Sequence, residues 1–126
     1  MSRDHTKLRV FNDAHQLTLT IYRQTKDFPK DEQFGLRIQV RRAAVSVPSN
    51  IVEGCARKTT REYCNFINIA LGSASELGYL IGVTTELGFI AAQPGQRLGE
   101  SCKSVLKQLQ RLGDELDALA ASERGN

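Results

Sequence analysis

Basic side chains are the residues here whose types and spacing suggest a chemistry, and that chemistry is anion binding by charge. Arg37 and Arg41 lie four apart, on one face of any helix that carries them, with Arg42 beside them. Arg57, Lys58 and Arg61 form a second group. Such clusters hold phosphates through charge and carry no sequence code. A solvated outer face is the plain alternative reading. In an antiparallel helical arrangement the second group shares its end with Arg3, Lys7 and Arg9. Asp114, Glu115, Asp117 and Glu123 approach the same end and dilute the field. The chain has no Trp and three scattered Tyr, so no stacking platform for bases is indicated.

Nothing else in the chain points to a reaction. His5 and His15 are the only histidines, and His5 falls in the polar leader, so the usual two- or three-ligand metal set is missing. A Cys–His nucleophile would need Cys64 or Cys102 beside His15, and no flanking signature suggests it. There are no paired carboxylates, no phosphate-binding glycine loop and no nucleophile elbow. The expectation is a non-enzyme with no cofactor, no metal and no catalytic residue. Lys103, Lys107 and Arg111 make an i, i+4 stripe that a solvated helix face explains.

Composition sets the frame for these residues. The 126 residues are 40% hydrophobic and 25% charged, as in an ordinary globular domain with one core. The net charge of +3 is uneven: up to Arg61 there are twelve Lys/Arg against six Asp/Glu, and from Glu62 five against eight. Three cysteines without a CxxC pair read as buried reduced thiols in the cytoplasm. The polar opening residues argue against a signal peptide, and no run of eighteen uncharged apolar residues suggests a membrane partner.

Helical periodicity organises the chain into a flexible leader (1–9), a four-helix unit (10–121) and a short tail (122–126). Leu98, Cys102, Val105, Leu109, Leu112, Leu116 and Leu119 keep an unbroken 4-3-4-3-4-3 spacing, the seam of a helix lying nearly parallel to its neighbours. Pro94 suits that helix's first turn. Tyr63, Phe66, Ile67, Ala70, Ala74, Leu77, Ile81 and Thr84 form a second such stripe. Thr59 and Glu62 read as its capping box, and Gly88 as its stop. Val10, Ala14, Leu17, Ile21 and Phe28 share a face of the first helix, with Asn12 as a candidate N-cap; Pro29 ends it.

Between Lys30 and Ala56 the pattern is ambiguous. Phe34, Leu36, Ile38 and Val40 alternate like a strand, yet a lone strand would leave its backbone groups unpaired. Two helical faces also fit: Phe34, Ile38, Val45 and Val52 on one, Leu36, Val40, Ala44, Val47 and Ile51 on the other. The reading is therefore a helix with a wide apolar arc, kinked at Pro48, with Ser46, Ser49 and Asn50 supplying hydrogen bonds around the break. Gly54 would close it through a left-handed cap, with Asn50 and Glu53 in capping and packing roles rather than at a subunit contact. The whole is an all-α, up-down-up-down antiparallel bundle. Gly72, Ser75, Tyr79 and Gly82 line a small-residue side of the third helix, away from its seam. Each internal glycine costs about 1 kcal/mol against alanine, so close approach of another helix or subunit is the expected return.

With these residues in view, the chain resembles a bacterial four-helix-bundle family encoded in intervening sequences of large-subunit ribosomal RNA genes. The matching motifs are Phe28-Pro29, Phe34-Gly35-Leu36, Gln39-Val40-Arg41-Arg42-Ala43, Ser46-Val47-Pro48-Ser49-Asn50-Ile51-Val52-Glu53-Gly54, and Phe66 through Leu77. The resemblance implies a ring-shaped homopentamer and no catalytic residues. A related branch, the accessory protein of diversity-generating retroelements, implies nucleic acid (RNA or DNA) and a reverse transcriptase as partners. This chain lacks that branch's strongly basic balance. The combined expectation is a non-catalytic oligomeric scaffold or accessory binding nucleic acid or its enzyme, with a purely protein-binding module as the alternative.

Overall fold

Residues 3–125 are described by a computed structural model. Four helices account for most of them: α1 (Arg9–Gln24), α2 (Leu36–Cys55), α3 (Thr60–Glu86) and α4 (Ala92–Arg124), with single 3-10 turns over His5–Lys7 and Lys30–Glu32. Each helix packs on the next, and α1 closes the bundle against α4. The expected all-α four-helix bundle is therefore the fold. The leader carries the first 3-10 turn, the last helix runs on to Arg124, and the remaining leader and tail positions 1, 2 and 126 lie outside the described residues.

Local chemistry explains the helix ends. The Thr59 hydroxyl accepts the Glu62 backbone N–H at 3.1 Å and donates to its carboxylate at 2.8 Å, so α3 starts where its cap dictates. Gly88, at φ +78°, stops α3: its N–H donates to the Thr85 carbonyl and the Phe89 N–H to Thr84, a Schellman closure. Asn12 is not an N-cap. The helix begins three residues earlier behind Leu8, and the Asn12 amide instead donates to the Thr6 and Leu8 carbonyls.

The α4 seam is buried from Leu98 to Leu116, but Leu119 is 42% exposed and Ala120 takes its place inside. A straight helix at 3.6 residues per turn drifts away from a strict 3.5-residue repeat, and the drift surfaces at the last position. The α3 stripe from Ile67 to Thr84 is buried throughout. By length and composition α3 is, among the described residues, the one helix apolar enough to cross a membrane. Its buried stripe packs between α2 and α4, and its opposite side, with Ile69 and Tyr79, is exposed.

In α2 the two apolar faces part company. Val40, Ala44, Val47 and Ile51 are at most 1% exposed, whereas Phe34, Val45 and Val52 are 83%, 38% and 36% exposed. The helix continues through Pro48 without interruption. Pro48 brings no N–H to the Ala44 carbonyl, and the Thr18 hydroxyl from α1 donates there at 3.0 Å. Asn50 and Ser46 also act near the break, since the Asn50 amide donates to the Ser46 carbonyl at 2.8 Å. Gly54 does not cap the helix: it is buried within α2, and Ala56 closes the end in a right-handed conformation. A Cβ on Gly54 would lie 3.1 Å from Phe66 Cβ and 3.2 Å from the Tyr63 carbonyl oxygen, so this glycine permits the close α2–α3 crossing.

Candidate functional site

The six basic residues separate into two places. Arg41 and Arg57 are sixteen positions apart, roughly 24 Å along a helix axis. Arg37, Arg41 and Arg42 sit toward the α1–α2 turn, and Arg57, Lys58 and Arg61 at the opposite end around the α2–α3 turn.

Several of these guanidiniums have work inside the protomer. Arg41 Nε donates to the Thr25 hydroxyl oxygen at 2.8 Å and Nη2 to the Tyr22 carbonyl at 3.1 Å, while its head stacks 4.5 Å over the Tyr22 ring. It thereby covers carbonyl and hydroxyl acceptors at the C-terminus of α1, where cationic donors are favoured. Arg61 pairs with Asp117 across α3 and α4 at 2.8 Å, which holds its guanidinium further on the protonated side. Arg57 pairs with Glu53 at 3.4 Å and lies over the Phe66 ring, with its Nε buried and unpartnered among the described residues. Glu53 thus takes part in an exposed ion pair at that helix end. Arg42 and Lys58 are exposed, and neither makes an ion pair among the described residues.

The α2–α3 turn is also tied to the leader. Arg3 donates to the Arg57 carbonyl at 2.7 Å and sits 5.5 Å over the Tyr63 ring. His5 packs edge-on against Phe11, and Phe11 stacks on His15. No group of three His, Cys, Asp or Glu that could hold a metal occurs among the described residues. The three thiols are free and buried, and desolvation pushes all three upward, Cys102 to about 11. Burial of this kind makes a thiol inert rather than nucleophilic.

The small-residue side of α3 faces outward. Gly72, Ser75 and Gly82 are exposed, Tyr79 is 72% exposed, and a Cβ at Gly72 or Gly82 would meet nothing within 4 Å. Ser46 and Ser73 hydrogen-bond at 2.7 Å across the α2–α3 boundary. The outward apolar side chains of α2 (Val45, Val52) and of α3 (Ile69, Tyr79) thus belong to two adjacent helices. A groove of about 530 Å³ opens at Val45, between α1 and α2, lined by Tyr22, Ile38, Arg41, Arg42, Val45 and Ser46. The sequence pattern already held its signal, a second apolar face on α2. What it lacked was the partition of inside from outside.

Comparison with known proteins agrees with this architecture. No curated protein matches the chain. A solved structure from Bacteroides thetaiotaomicron, a protein of unknown function from the S23 ribosomal protein family, shares the fold. The TM-score is 0.71 at 20% identity, over 79% of this chain and 94% of that one. Residues 6–111 match the family described as 23S rRNA-intervening sequence protein. That span takes in the Pro48 motif of α2, all of α3 and most of the α4 seam, so the chain belongs to the 23S rRNA-intervening sequence protein family.

Proposed function

We propose that this protein is a non-catalytic, self-associating helical scaffold that engages nucleic acid, or an enzyme acting on nucleic acid, through its unpaired basic residues. The observation that carries the self-association is the second apolar face of α2, which the protomer's own core leaves outside. On α3, Gly72 and Gly82 give up helix propensity with no intrachain packing in return. A second copy approaching the Gly72, Ser75, Tyr79 and Gly82 side would supply that return, and Val45 and Val52 of α2 offer a further apolar surface to cover. The family resemblance favours a pentamer. Free, buried thiols fit the reducing cytoplasm.

Support for the nucleic-acid arm is the exposed Arg42 and Lys58 together with the positive first half of the chain. The alternative, a purely protein-binding module, draws support from Arg41, Arg57 and Arg61 having intrachain partners. Light scattering on a size-exclusion column, with and without a mixed RNA and DNA pool, tests both arms. An oligomer that shifts with the pool at low salt, with binding falling linearly in log–log terms as salt rises, is the expected result. An oligomer indifferent to the pool at every salt concentration rejects the nucleic-acid arm. A monomer at micromolar concentration rejects the scaffold reading.

A further inference from the structure

Phe34 is the most exposed large apolar side chain among the described residues, at 83%. It stands just before α2, following the 3-10 turn Lys30–Glu32, with the Glu32 carboxylate accepting the Leu36 N–H at 3.0 Å. That hydrogen bond and the start of α2 hold the segment in place, so the ring is presented rather than trailing. Leaving a phenylalanine in water forfeits the burial that makes aromatic rings useful, which calls for an occupant elsewhere.

The groove lined by Tyr22, Ile38, Arg41, Arg42, Val45 and Ser46 offers the complementary shape. Its walls are apolar (Tyr22, Ile38, Val45), its rim is cationic, and its volume of about 530 Å³ exceeds one phenyl ring. Arg41 is held on Tyr22 and Thr25, which fixes one wall. Arg42 is exposed without an ion-pair partner among the described residues. The segment leading to the knob is acidic by one charge, with Asp31 exposed and Glu32 half-buried against the exposed Lys30. Phe34 is not among the residues that line the groove in its own copy, so ring and groove are both open to a second one.

We propose that Phe34 of one copy seats in the Tyr22–Ile38–Val45 groove of a second copy, with Asp31 facing Arg42 across the contact. This deepens the self-association reading and rests on it. An aromatic anchor in an apolar pocket, ringed by charge, is the usual form of an interface hot spot. Knob and groove are different surfaces, so the contact closes as a reciprocal pair or continues round a ring.

The test mixes a Gln33→Cys variant, which keeps the Phe34 ring, with a size-tagged Ser49→Cys variant, which keeps the groove walls, and treats the folded mixture with a short bismaleimide near neutral pH. Both positions are exposed, and the three native thiols are buried, so they stay silent under these conditions. The expected product is a mixed dimer, at least tenfold more abundant than with Lys107→Cys, on the outer face of α4, in place of Gln33→Cys. An oligomeric wild-type protein whose variants give no such excess overturns this contact and leaves self-association standing. Cross-linking within one chain in the Gln33→Cys/Ser49→Cys double variant, with no mixed dimer, overturns it in favour of the chain's own Phe34. A monomeric wild-type protein removes both. Arg42→Glu should weaken self-association about tenfold, and Asp31→Arg added to it should restore the loss; a double variant no better than Arg42→Glu overturns the proposed pairing.

Discussion

The Thr18 hydroxyl lies 3.0 Å from the Ala44 carbonyl oxygen, the acceptor that Pro48 leaves without its backbone donor. A proline inside a helix removes one i→i−4 bond, and a buried carbonyl without a partner is expensive. Here the missing donor comes from the neighbouring helix, so the proline becomes a point of attachment between α1 and α2. The same hydroxyl lies 3.0 Å from its own Ala14 carbonyl, so it divides its single proton between two acceptors.

This arrangement predicts coupling between the two positions. Thr18→Val, which keeps the shape and removes the hydroxyl, should cost about 1–3 kcal/mol in urea denaturation. In a Pro48→Ala background the loss should shrink, because the backbone N–H regained at that position then serves the Ala44 carbonyl. Equal losses in the two backgrounds would mean that Thr18 acts through packing alone.

Glycines in α2 and α3 predict opposite outcomes for one substitution. Gly54→Ala gains helix propensity but forces a Cβ against Phe66 and the Tyr63 backbone, and should destabilise by about 1–3 kcal/mol. Gly72→Ala meets open space and should stabilise the isolated protomer by up to about 1 kcal/mol. It should also weaken self-association. Thermal melts paired with light scattering separate the effects, and a Gly72→Ala protein that assembles as well as wild type would remove α3 from the interface.

Much of this was legible in the sequence because it is local. Thr59 and Glu62 are three residues apart and cap α3; Gly88 stops it; the Leu98–Leu116 stripe is buried as its spacing implies. What escapes the pattern depends on contacts distant in the chain. Thr18 serves a carbonyl twenty-six residues away, and Arg3 reaches Arg57 across fifty-four. Gly54 resembles a cap because a glycine near a helix end often is one; only the approach of Tyr63 and Phe66 shows otherwise. Arg41 has the spacing of a phosphate ligand, but Tyr22 and Thr25 hold it. Periodicity gives α2 two apolar faces with nothing to rank them, since the rank comes from where the other three helices lie.

The end of the α4 seam supplies a paired test. Leu112 is 7% exposed and Leu119 is 42% exposed, although both sit on the same heptad-like repeat. Leu112→Asp should unfold the bundle, because a buried unpaired carboxylate costs several kcal/mol. Leu119→Asp should leave helicity by circular dichroism nearly unchanged. A soluble, fully helical Leu112→Asp protein would mean that the core does not run through that position.

Alkaline pH should weaken the fold through Cys102. Desolvation raises this thiol from an ordinary value near 9.0 to about 11, so the folded state favours the protonated form. A group raised in this way contributes stability that is fully present below its unfolded value and is lost as pH climbs through its folded value. The loss should therefore begin near pH 9 and be complete only above pH 11, with a total on the order of 2 kcal/mol. Cys102 also donates to the Ala74 carbonyl at 3.2 Å, a contact that ionisation would abolish. Cys102→Ala should flatten this part of the stability curve while lowering stability at neutral pH. Urea midpoints at about pH 7, 9 and 10.5, kept below the folded value, measure the slope. A variant as steep as wild type would move the alkaline loss to Cys55, Cys64 or Tyr63, all of which burial shifts in the same direction.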